Sequence, residues 1–162
     1  MTHPAMAVLL LVASAGLVAC GGPGTGDLIV ELGTGEVGFE PLADYQEVPL
    51  VAGPQGGHHV WLSFRADGMP TDNVLFEVDV VPLEEMEPPP RRSAIRLTMT
   101  PTPDGEMHEW VGWPAQLDQP ECLVGVPLSV RITITDSRGR VASDERIVVP
   151  LDEPLLGECA GS

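Results

Sequence analysis

"PLSVRITITDSRGRVASDERIVVPL", residues 127–151, decides the fold. Leu128, Val130, Ile132 and Ile134 alternate with Ser129, Arg131 and Thr133. A period of two puts the first set on one face of a β-strand and the second on the other. Beyond the turn, Ile147, Val149 and Leu151 are expected to form the apolar face of a partner strand. "DSRGR" between them carries turn chemistry, with Gly139 free to take positive φ in a short bulged loop. The stretch therefore predicts an antiparallel hairpin with one buried face.

The same period recurs upstream. Leu28, Val30 and Leu32 share a face, as do Val60, Leu62 and Phe64. Val74, Phe76, Val78 and Val80 oppose Glu77 and Asp79, and Ile95, Leu97 and Met99 alternate with Arg96, Thr98 and Thr100. Weaker strand signals lie near Val48 and Trp110. "ADGMP" and "PDGE" punctuate these runs, and "MEPPPRR" (86–92) reads as a stiff crossing between sheets. With 17 prolines and 18 glycines, no stretch after residue 20 carries a long amphipathic helix. Residues 28–162 are thus expected to form one all-β domain, an antiparallel β-sandwich of about seven or eight strands. The closing hairpin resembles the last strand pair of bacterial immunoglobulin-like domains, and the resemblance implies an immunoglobulin-like sandwich. The Cys–Trp–Cys core of antibody domains is absent, since Cys122 and Cys159 both fall late in the chain.

Ahead of the domain, residues 5–19, "AMAVLLLVASAGLVA", are an apolar run of 15, short of the roughly 20 needed to span a bilayer. It suits the core of a secretory signal. It closes on Leu17-Val18-Ala19-Cys20, followed by Gly21 and Gly22. This resembles the lipobox of bacterial lipoproteins. The resemblance implies a signal peptide over 1–19, diacylglycerol on the Cys20 thiol, palmitate-type acylation of its freed amine, and a lipid anchor as the contact with the membrane. "MTHPAM" departs from the family's pattern in having no Lys or Arg. Residues 20–27 read as the lipidated Cys and a flexible tether; the seven residues after Cys20 reach at most about 25 Å. Gly21 in place of Asp implies the outer membrane, under the sorting rule of some two-membrane bacteria.

Cysteine arithmetic follows from that reading. Lipidating Cys20 leaves Cys122 and Cys159, an even pair in an oxidising compartment, expected to form a disulfide. It would stabilise the fold by roughly 4 kcal/mol in the chain-entropy model. There is no C-x-x-C spacing to argue for redox or zinc chemistry.

Charge narrows the partners. The chain carries 24 acidic residues against 8 basic, all Arg, for a formal charge of −16. Nucleic acid is excluded as a partner, because phosphate binding needs clustered cations.

"GPQGGHHVW" (53–61) raises the remaining chemical question. In a strand, His58 faces with Val60 and Leu62, and His59 with Trp61 and Ser63. Histidines on opposite faces do not readily ligate one ion, so no metal site is assigned; a cluster with His108 would reopen that reading. No catalytic motif is present: no G-x-S-x-G, P-loop or H-E-x-x-H. "GTGEVG" (33–38) does not open a helix, and the neighbouring carboxylates Glu84/Glu85 and Asp144/Glu145 read as solvated charge. Asp67, Asp72 and Asp104 lie in acidic turns without a calcium-loop pattern. No cofactor is expected. The suggestive surface feature is aromatic: His59, Trp61, Trp110 and Trp113 form a candidate contact face, against the plainer reading that the rings fill the sandwich. The sequence thus points to a non-enzymatic binding or scaffolding lipoprotein of the bacterial envelope, with an envelope protein as partner. The alternatives are a carbohydrate-binding module with a groove of exposed Trp rings, a copper- or zinc-binding envelope protein, and a hydrolase without a recognisable motif.

Overall fold

A computed structural model describes residues 28–54, 56–84, 91–151 and 159. The proposed signal segment, Cys20 and the tether lie outside the described residues, as do Glu85 and Pro88–Pro90. Most of the alternating sequence becomes strand, but the run at 94–100 is strand only as far as Leu97, and Ile95, expected on its buried face, is exposed. In β5 (His58–Asp67), Val60, Leu62, Phe64 and Ala66 are at most 1% exposed. The same alternation buries Val74, Phe76, Val78 and Val80 in β6 (Val74–Pro82), and Leu128, Val130, Ile132 and Ile134 in β10 (Leu128–Thr135). Phe64 of one sheet stacks on Phe76 of the other at 4.5 Å, in the centre of the core.

The other elements are β1 (Ile29–Thr34), β2 (Glu40–Pro41), β3 (Gln46–Pro49), β4 (Val51–Ala52), β7 (Arg91–Leu97), β8 (Thr100–Pro101), β9 (His108–Leu117) and β11 (Val141–Leu151). Eight of these eleven strands have four or more residues. One sheet has the order β2-β1-β5-β9-β8, with β4 also on β5; the second runs β3-β11-β10-β6-β7. Taken in chain order, β1, β5, β9 and β8 correspond to strands A, B, E and D, and β6, β10 and β11 to C, F and G. The fold is an immunoglobulin-like β-sandwich. It departs from the antiparallel expectation in one pairing: β3 runs parallel to β11, with Val48 opposite Pro150. The cause is that the chain's first strand is split. β1 pairs the end of β5, the chain crosses to β11 as β3, then returns to the start of β5 as β4.

That crossing is stitched by charged groups at the edge of the sandwich. Asp144 accepts the Leu32 N–H at 2.8 Å and the Arg146 guanidinium at 2.7 Å, while Arg146 also donates to the Leu42 carbonyl. Asp144 therefore faces inward, whereas Glu145 faces outward and accepts from Ser129 and Arg131. Neither is free solvated charge, contrary to the expectation. The expected face of β11 is also reversed. Leu128 lies opposite Val148, so Val148 and Pro150 are buried, while Ile147 and Val149 are only half-buried and Leu151 is exposed.

The β10–β11 turn forms as expected, with Gly139 at φ 78°. Its centre is Asp136, whose side chain is wholly buried. Burial alone would raise this carboxyl, but it accepts the Arg138 and Arg140 N–H groups and the Arg140 guanidinium, and these hold it below the ordinary value. Arg140 reaches on to the Gly68 carbonyl, tying this turn to the β5–β6 connection.

Cys122, ending a 3₁₀ turn (Pro120–Cys122) between β9 and β10, is bonded to Cys159, with Cα atoms 4.7 Å apart. The bridge closes a separation of 37 residues. His58 pairs Leu117 and Leu128 pairs Pro82, which places the bridge at the end of the sandwich remote from Ile29 and the Asp136 turn.

Candidate functional site

The outer face of β5 carries His59, Trp61, Ser63 and Arg65, as the period of two requires. It is not an open face. His59 is only 6% exposed, which corrects its expected place on a contact surface. The Gly53–Gly57 turn folds against it: a Cβ on Gly53 would sit 3.6 Å from His59 Nδ1. Burial pushes the imidazole below its ordinary value, Glu36 pulling it up and His58 pushing it further down. Its ring meets Trp61 edge-on at 4.3 Å, and its Nε2 has no hydrogen-bond partner.

Trp110 and Trp113 do not join this face. They are three positions apart, so strict alternation would split them. A bulge in β9 resets the count: Leu62 pairs Trp113 and Phe64 pairs Trp110, so Val111 and Gly112 together oppose Ser63. Both indoles turn inward against the core, Trp113 edge-on to Phe76 at 5.6 Å, and the Nε1 atoms of both are buried without a partner. The expected four-residue contact face is thus reduced to Trp61. The three Trp rings line no common groove of the kind the carbohydrate reading needs. The signal for the inward turn was Gly112 between the two rings, adopting φ 74°.

The histidines are separated too. His58 lies opposite Leu117 and His108 opposite Ala66, so His59 and His108 stand near opposite ends of the sheet, about 23 Å apart at the usual strand rise. Among the described residues, no three His, Cys, Asp or Glu are placed to hold a metal ion.

What the sequence did not suggest is a groove where the first strand splits. Thr34, Glu36, Glu40, Gln46, Glu47 and Trp61 are among the residues lining about 280 Å³. One wall is the β1–β2 hairpin, fixed on β5 by three ties. Thr34 Oγ1 donates to the Trp61 carbonyl at 2.7 Å, and Ser63 Oγ donates to the Gly35 carbonyl at 2.9 Å while accepting the Gly112 N–H at 3.1 Å. Arg65 lies over the Phe39 ring at 4.2 Å and pairs with Glu109. The opposite wall is β3, held parallel to β11. Glu36, Glu40 and Glu47 are all exposed, so the groove is lined by open carboxyl groups. Two lie on one hairpin and the third on β3, in no spacing that a motif search recognises. No family model, no curated protein and no solved structure matches this chain.

Proposed function

We propose that the chain is a lipid-anchored protein of the bacterial envelope, probing its surroundings with an immunoglobulin-like domain that binds a protein partner and catalyses no reaction. The observation that carries this reading is the Cys122–Cys159 bond. It uses two of three cysteines and fits an oxidising compartment. The third, Cys20, is the residue on which the apolar run closes, in the Leu17-Val18-Ala19-Cys20 pattern. Gly21 supports placement at the outer membrane. Partner binding draws support from a rigid sandwich with an open, side-chain-sized groove on one flank. The formal charge of −16 disfavours nucleic acid.

The anchor is tested with Cys20→Ser. Wild-type protein should enter the detergent phase and carry acyl mass on its N-terminal peptide, and the variant should lose both. Wild-type protein without acyl mass, or cleaved elsewhere than before Cys20, overturns the reading.

A further inference from the structure

The Gly53–Gly57 turn covers a group whose charge can change. His59 lies beneath it, 6% exposed, with Nε2 buried and without a hydrogen-bond partner. The cover is backbone rather than side chain: a Cβ on Gly53 would touch the ring at Nδ1 and Cε1, 3.6 and 3.7 Å away. A neutral imidazole fits this place. An imidazolium would be a buried cation whose Nε2–H meets no acceptor, which is costly. The surroundings compensate little. The cover, "VAGPQGG" (51–57), has no titratable side chain, and β9 sets Gln116 opposite His59. The charged neighbours are Glu36 of the β1–β2 hairpin, which favours the proton without bonding Nε2, and His58, which opposes it.

The cover is also cheap to move. β4 is two residues long and lies off the main order of its sheet, paired with β5 through Val51–His59 and Ala52–His58. Val51 is half-buried and Ala52 exposed, so little apolar surface is uncovered when they lift. The turn itself is closed by the Gly53 N–H on the Gly57 carbonyl and the Gly56 N–H on the Gly53 carbonyl. Anchors bound it on both sides: Leu50, 2% exposed and donating to the Leu151 carbonyl, and Val60, fully buried.

We propose that residues 51–58 form an acid-sensitive latch: when His59 takes a proton, β4 and the glycine turn lift from β5 between the anchors at Leu50 and Val60, and the ring is hydrated while the sandwich stays folded. The lifted state frees the main-chain edge of β5 at His58 and His59, which β4 otherwise occupies, for pairing with another extended segment. Burial, which holds the covered imidazole below its ordinary value, acts in the same direction, since the proton then binds the lifted state more readily. The latch goes beyond the anchor and partner reading and requires neither.

The test is native-state hydrogen exchange of the full-length chain in detergent, read by mass spectrometry from pH 7.5 to pH 5 and corrected for the intrinsic pH dependence of exchange. Opening of the segment that holds Gly53 and Gly56 should rise severalfold over this range, toward a ceiling of about thirtyfold set by the ordinary imidazole value of 6.5. Low urea should leave that opening unchanged while it speeds exchange in β10, the mark of a local rather than a global event. His59→Gln and His59→Phe, neither of which titrates, should each abolish the rise, and His58→Ala should keep it. The proposal is overturned if opening in wild type is independent of pH, if the rise survives in either His59 variant or is lost in His58→Ala, or if urea speeds exchange at Gly53 and Gly56 as steeply as in β10. Wild type alone can return the first and the last of these results, so a variant that fails to fold does not protect the proposal.

Discussion

His59 and His58 are adjacent in sequence and opposite in circumstance. His59 is buried under the Gly53–Gly57 turn, and His58 is half-exposed where β5 begins. His59→Ala should therefore cost about 2 kcal/mol, against about 0.5 kcal/mol or less for His58→Ala, measured by denaturant unfolding at pH 7. The pH dependence has a definite sign. Burial depresses the folded imidazole below its ordinary value of 6.5. As pH falls through 6.5, the unfolded chain takes up the proton before the folded one, so stability drops from there toward the folded value. A His59→Phe variant, whose ring cannot titrate, should lose that share of the acid sensitivity in melts between pH 7 and 5. An unchanged slope would show that His59 is not the group responsible.

At the scale of elements, the bulge in β9 governs the groove wall. Gly112 combines φ 74° with contact so close that an added Cβ would collide with the Glu36 carbonyl oxygen. Gly112→Ala should destabilise the domain by about 2 kcal/mol or more, through the left-handed backbone and the displaced hairpin. Amide exchange at Gly35 and Glu36 should quicken while exchange in β6 keeps its rate. Which elements were legible in the sequence follows from the same local physics. β6 and β10 have one purely apolar face, and their inward residues were readable directly. β11 was misread because its inward positions include Asp144 and Arg146, polar residues that serve the split first strand, while the outward Ile147 and Val149 look like core. Trp110 and Trp113 were misplaced because a bulge breaks the count on which a period of two depends. The groove carboxylates were unreadable because the β1–β2 hairpin and β3, though close in sequence, face each other only after the chain changes sheets.

For the molecule as a whole, the disulfide secures the end remote from Ile29. Replacing both Cys122 and Cys159 by Ser should lower stability by roughly 4 kcal/mol in the chain-entropy model, seen as an earlier thermal transition than that of oxidised wild type. Reduction of wild type should reproduce the shift. Equal melting of the oxidised and reduced protein would mean the core alone sets its stability.

The parallel pairing of β3 with β11 also determines how the domain meets force. A pull on the chain ahead of β3 and beyond β11 draws the two strands past each other along their length. The ladder from Val148–Gln46 to Leu151–Pro49, with the flanking Tyr45–Ile147 and Leu50–Leu151 hydrogen bonds, is then loaded in shear. These bonds must yield together, whereas the β10–β11 hairpin, gripped at its open end, would peel apart one bond after another. Tension applied directly across these two strands would fall on the arrangement best built to hold it.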